Sequence, residues 1–183
     1  MSATFTIQRG DICDSRAEAV VNAWNRNFIP HWLLIPQGVS KALRKSAGLG
    51  PFRHVSRRGL LALGEVVVTD AGKMPGRYML HAAALHAYWR ASETSVRLAA
   101  RSIFATAREL DIRTLAIPLL GAGTGGLEPV RSFQLIYEAW VASGFFCDCV
   151  LYIYDAPTWA QLEEIIANDA AERPGLVVVA ETG

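Results

Sequence analysis

The stretch Ile117-Pro118-Leu119-Leu120-Gly121-Ala122-Gly123-Thr124-Gly125-Gly126-Leu127-Glu128-Pro129 decides how this chain folds. Leu115 to Leu120 is uncharged and rich in Leu and Ile, which predicts a buried strand. It empties into four glycines within six residues, and Pro129 then opens a helical segment. Strand, glycine loop and helix start form a geometry that brings bare main-chain N–H groups up to an anion. Side chains would block that approach, and glycine also tolerates positive φ. The same pattern also makes a tight crossover turn with no ligand. The surrounding chain has to discriminate between the two.

Downstream, the pattern predicts a helix from Pro129 or Val130 to Ser143, a buried strand over Cys149–Tyr154, a turn at Asp155–Pro157 and a helix over Trp159–Ala171. Arg173-Pro174-Gly175 break that helix, and Leu176–Val179 reads equally as an edge strand or a tail. Upstream, Glu93–Leu110 spaces Val96, Ala99, Ala100, Ile103, Phe104 and Ala107 as one face of an amphipathic helix. Strands are expected at Thr4–Ile7, Ala19–Ala23, Gly64–Thr69 and Tyr78–Ala84. Lys41–Ala47 reads as a helix with Ser40 as its N-cap and Gly48 past its end. Pro51–Gly59, with Arg53, His54, Arg57 and Arg58, reads as a basic loop, and Phe28–Pro36 as an apolar insertion or flap bracketed by prolines. Strands alternating with helices predict one domain over residues 1–183, a three-layer α/β/α fold of the α/β class. The short turn before Tyr78 makes the central sheet mixed.

Composition narrows the function. The 183 residues are 51% hydrophobic and 19% charged with a net charge of +1, so a globular core is expected and an anion must be held by local features. No apolar run reaches the ~20 residues of a membrane span, and no signal-peptide pattern opens the chain, so a cytoplasmic location with no membrane contact is expected. Cys13, Cys147 and Cys149 and the four histidines show no metal-ligand spacing, and no metal or cofactor is called for. His81 in its apolar strand reads as a satisfied core residue.

Three polar positions stand out. Asp11, after the first strand, could accept a hydrogen bond from an exocyclic amine, or cap a turn. Asn25, past the end of the second, is placed where open α/β sheets bind ligands and could hold a ribose hydroxyl. Asn22 is expected to satisfy loop backbone. Gly38, just ahead of a helix, is a second place where N–H groups could meet a phosphate.

Taken in order, Gly10-Asp11-Ile12, Ala19-Val20-Val21-Asn22-Ala23-Trp24-Asn25, Gly38-Val39-Ser40, Leu80-His81-Ala82 and Ile117-Pro118 running into Gly121–Gly126 resemble the macrodomain family. Members bind ADP-ribose, and many remove it from proteins or nucleic acids. The resemblance spans most of the chain. It implies Asp11 and Ile12 beside adenine, Asn25 on the distal ribose, and Gly38, Val39 and Ser40 as a first phosphate loop. It implies Gly121, Ala122, Gly123, Thr124, Gly125 and Gly126 as the second, with Tyr154 against adenine. The commonest glycohydrolases of the family have a glycine run ending in Gly-Val-Asp; here Trp32–Gln37 replaces the run and Ser40 stands where the Asp would. Another branch places an acid after Gly-Leu, which Gly126-Leu127-Glu128 resembles, with no clear counterpart for that branch's nucleophilic lysine. Glu128 is thus the candidate acid–base group and Ser40 a secondary catalytic candidate, although an acid in a first helical turn also suits the dipole. The resemblance implies a monomeric hydrolase taking mono-ADP-ribose from acidic side chains of modified proteins. A non-catalytic reader and an enzyme acting on ADP-ribosylated nucleic acid are the alternatives.

Overall fold

In a computed structural model, residues 3–26, 37–86, 89–144, 147–169 and 173–179 are described. The Phe28–Pro36 insertion lies outside them. Seven strands form one sheet: β1 (Phe5–Arg9), β2 (Ala19–Asn25), β3 (Val66–Asp70), β4 (Tyr78–Leu85), β5 (Thr114–Pro118), β6 (Asp148–Ile153) and β7 (Leu176–Val179), ordered β3-β4-β2-β5-β6-β1-β7. Of these strands only β3 runs antiparallel to its neighbour, so the sheet is mixed as the short turn requires. Leu176–Val179 is an edge strand, pairing with β1 from Phe5↔Leu176 to Gln8↔Val179.

Alternation along the strands sends side chains into two layers. Val21, Leu80 and Ile117 point to the face covered by α3 (Glu93–Glu109), α4 (Pro129–Ala142) and α5 (Ala156–Asp169). Val20, Met79 and Ala116 point to the face covered by α1 (Gly38–Ala47) and α2 (Gly50–Ser56). On the first face Trp140 is fully buried among Phe5, Phe133 and Tyr137, its indole N–H donating to the Cys147 carbonyl at 2.8 Å. Burial pushes the Cys147 thiol up to about 11 and raises Cys149 well above its ordinary value, in keeping with core roles for both.

Four local expectations are corrected. Pro51–Gly59 is largely helical as α2, because Pro51, Phe52 and Val55 bury one face while Arg53, His54 and Arg57 stay exposed. α1 starts at Gly38, with Gln37 at its N-cap, so Ser40 lies inside the first turn and does not cap it. α5 begins at Ala156, three residues early, since Pro157 is tolerated in a first turn. Asn22 does not serve loop backbone: β2 continues to Asn25, which leaves Asn22 fully buried with its amide donating to His81 Nδ1 at 3.0 Å.

Candidate functional site

β1, β2, β5 and β6 are mutually parallel, so the segments that follow them leave the same edge of the sheet. β2 and β5 pair only at Ala19↔Leu115 and Val20↔Ala116, although β2 runs on to Asn25 and β5 to Pro118. The two strands therefore separate toward their carboxyl ends. A crevice between diverging parallel strands is where sheets of this kind hold ligands.

The loop after β5 is tied down on both flanks. Leu127 N–H donates to Gly121 O at 3.0 Å, Ala91 N–H to Gly125 O at 2.9 Å, and the buried Ser132 hydroxyl to Leu120 O at 2.8 Å. Its glycines divide by role. A Cβ at Gly121 or Gly125 would strike the Ala91 side chain, and one at Gly125 would also strike Gly121 O, so these two are packing glycines. A Cβ at Gly123 would meet nothing within 4 Å, and Gly123, Thr124 and Gly126 are exposed. Among the described residues, the N–H groups of Ala122, Gly123, Thr124 and Gly125 donate to no main-chain carbonyl. These unfilled donors line one side of the crevice.

The opposite side is the start of α1. Gln37 makes no side-chain capping bond, and among the described residues the N–H groups of Gly38, Val39 and Ser40 at this helix N-terminus meet no acceptor. Gly38 has φ +53° and open space where a Cβ would stand, which leaves its backbone approachable. The two loops meet where the Thr124 hydroxyl faces Gln37 Oε1 at 3.5 Å. Ser40 is buried, and among the described residues its hydroxyl has no hydrogen-bond partner.

Next to this clamp, Gln8, Arg9, Gly10, Asp11, Asp14, Tyr152 and Tyr154 line an open cleft of about 350 Å³. Asp11 caps the 3₁₀ turn Ile12–Asp14, accepting from Cys13 N–H at 2.9 Å through Oδ1. Ile12 is buried beneath the turn. Tyr154 is 79% exposed and Tyr152, two residues earlier on the same side of β6, packs on the α1–α2 core. Both tyrosines thus border the cleft. Asn25 is buried at the end of β2.

Glu128 is the N-cap of α4. Oε1 accepts from Val130 N–H at 3.0 Å and from Gln161 Nε2 at 2.8 Å, and Oε2 accepts from Arg131 N–H at 2.7 Å. Both oxygens are engaged. Sequence reasoning missed a polar row that crosses β2, β4 and β3. Asn22 donates to His81 Nδ1, which makes Nε2 the protonated nitrogen, donating to Thr69 Oγ1 at 3.1 Å; that hydroxyl donates to Asp70 O. Burial holds the His81 pKa down to about 3, so the ring is neutral. The register Asn22↔His81 was the signal available, and only strand pairing reveals it.

A family model for the Macro domain matches residues 21–136. The chain belongs to the macrodomain family. A protein of Aeropyrum pernix is 30% identical over 132 residues, covering 67% of this chain and 63% of its own length. The Mycobacterium tuberculosis protein Rv1899c is 31% identical over 120 residues, covering 66% of this chain and 32% of its own. This macrodomain therefore spans less than two thirds of these relatives. Among solved structures, the Trypanosoma brucei macrodomain in complex with ADP-ribose superposes with a TM-score of 0.75 at 20% identity, over 88% of this chain and 68% of that one. The macrodomain of Mycobacterium tuberculosis DarG gives 0.71 at 21%, over 84% and 99%. The Oceanobacillus iheyensis macrodomain with ADP gives 0.74 at 17%, over 91% of each. These likenesses establish the three-layer α/β/α fold.

Proposed function

We propose that this macrodomain binds ADP-ribose and hydrolyses the bond joining it to an acidic side chain of a modified protein. One observation carries the binding: among the described residues the main-chain N–H groups of Gly38–Ser40 and of Ala122–Gly125 have no main-chain acceptor outside their own elements, and the two loops that carry them meet at Thr124 and Gln37. Donors from two loops match a diphosphate, which offers acceptor oxygens on both phosphorus atoms. The Asp11–Tyr154 cleft takes the adenine, with the second carboxylate oxygen of Asp11 toward the exocyclic amine and Tyr154 against the ring. Asn25 holds the distal ribose. The binding set is thus Asp11, Ile12, Asn25, Gly38, Val39, Ser40, Gly121–Gly126 and Tyr154. Macrodomains of other organisms captured with ADP-ribose and ADP support this ligand.

Hydrolysis at the anomeric carbon needs the ribose and an attacking water held together, which is chiefly a positioning task for the clamp. Glu128, directly after the second loop, is the acid–base candidate, and Ser40 offers an unpartnered hydroxyl at the first loop. A second reading, a reader that binds and releases nothing, draws on the three hydrogen bonds that already occupy Glu128. Incubation with a protein carrying glutamate-linked mono-ADP-ribose separates the two. Release of free ADP-ribose, lost in Gly123→Glu, supports the hydrolase; tight binding without release leaves the reader. If Glu128→Gln releases ADP-ribose as fast as wild type, the acid–base assignment fails and positioning alone does the chemistry.

A further inference from the structure

The exposed charges of this molecule are sorted by face. From Lys41 to Arg58 the chain carries Lys41, Arg44, Lys45, Arg53, Arg57 and Arg58 and no carboxylate side chain. α1 and α2 turn Ser40, Leu43, Ala47, Phe52 and Val55 inward, and the cations other than the half-buried Arg44 are exposed. The exposed Lys73 joins them, its side chain lying beside Gly48. Among the described residues, one carboxylate pairs with this group: Glu65, 3.9 Å from Arg58. The α3–α4 face differs, because there Arg97 and Arg131 are held by Glu138 and Glu93. Two leucines bracket α2 in the sequence, Leu49 at 44% exposure and Leu60 at 63%. Cations interleaved with exposed leucines leave two demands unmet, one for negative charge and one for apolar cover.

We propose that the α1–α2 face docks the acidic segment of the modified protein that flanks the ADP-ribosylated side chain. The inference rests on the hydrolase reading above and adds how the protein around the modified residue is recognised. Charge complementarity and continuity with the crevice carry it. α1 begins at the first phosphate loop, Gly38, and Lys41 and Lys45, four residues apart, project from one side of it. That helix is about 15 Å long, a distance an extended peptide covers in about five residues. Carboxylates within that reach of the modified residue meet α1, and those further along meet Arg53, Arg57 and Arg58. An arginine fork takes a carboxylate through two parallel hydrogen bonds. A nucleic-acid backbone would leave Leu49 and Leu60 uncovered, whereas a peptide offers carboxylates and apolar side chains along one strand. A bilayer would need an apolar helix face to insert, and α2 has committed Pro51, Phe52 and Val55 to the core.

The test uses short, unmodified, fluorescein-labelled peptides, so that it reads the surface apart from the crevice. By anisotropy at low salt, a repeating Glu-Glu-Leu peptide binds the intact chain and its Gln-Gln-Leu counterpart does not. Arg53→Gln combined with Arg57→Gln and Arg58→Gln weakens binding of the acidic peptide about tenfold, in line with exposed ion pairs at these positions. Arg101→Gln, exposed on α3, leaves it unchanged. ADP-ribose titrated by calorimetry into the triple variant binds as in wild type, which also shows that the variant is folded. Equal binding of the two peptides, or equal binding of the acidic peptide by the triple variant, would overturn the proposal. Tighter binding of a single-stranded oligonucleotide or of phosphatidylserine vesicles than of the acidic peptide would overturn it as well. Failure of ADP-ribose binding in wild type would instead remove the crevice reading.

Discussion

Burial in the α1–α2 layer keeps the His81 ring neutral, and that has a consequence for acid stability. The folded-state pKa of about 3 lies below the ordinary 6.5, so the unfolded chain takes up the proton first. The stabilisation is full above pH 6.5 and is lost progressively as pH falls toward 3. Urea titrations at pH 7 and pH 5 are expected to differ by about 2 kcal/mol, and His81→Gln should remove most of that difference. Glu128 is a second residue whose duty is local. Its carboxylate fills two orphan N–H groups of α4, so Glu128→Ala should lower stability by about 1 kcal/mol whether or not the acid also acts in hydrolysis. Measuring stability and turnover on the same variant separates the cap from the chemistry. The buried Ser40 hydroxyl is different, because it bonds to none of the described residues; Ser40→Ala should leave the melting temperature within a few degrees of wild type.

At the scale of elements, the glycine loop makes a prediction that composition alone could not. Gly125→Ala places a methyl on the Gly121 carbonyl and 2.8 Å from Ala91 Cβ, and it should destabilise the domain by about 1–3 kcal/mol. Gly123→Ala meets open space and should not. Thermal melts of the two variants side by side check the division. This division is not legible in the sequence, where all four glycines look alike; it depends on Ala91, far earlier in the chain, returning to the loop. Strands and long helices are legible because their apolar spacing is local and unambiguous, as in Val96 to Ala107 of α3. α2 is obscured by its density of charge, since three buried residues in a short helix give a weak period beside Arg53, Arg57 and Arg58. Ser40 resembles a cap because a hydroxyl before Lys41 fits that role, whereas the helix itself reaches back to Gly38 and leaves its donors unsatisfied there. The Asn22–His81 pair can be read from neither strand alone. Asp11 is legible as a turn cap, and the structure displays that role.

Taken as a whole, the molecule is a sheet whose central parallel strands β2 and β5 pair for only two positions, with the loop after β5 meeting the start of α1 at Thr124 and Gln37. Ligand energy enters such a site by filling donors the fold leaves unfilled, so binding should feed back on global stability. At one hundred times its dissociation constant, ADP-ribose should stabilise the domain by about 2.7 kcal/mol. Trp140 packs against Phe5 and Tyr137 in the α3–α5 layer, so Trp140→Ala should cost about 3–5 kcal/mol while leaving ligand affinity in the folded fraction unchanged. Whether the crevice is a diphosphate site is tested most directly by calorimetric titration of ADP-ribose into wild type and Gly123→Glu. The expected result is one site in wild type and no heat in the variant, with both melting at the same temperature without ligand. Equal binding by the two proteins, or none by wild type, would contradict it.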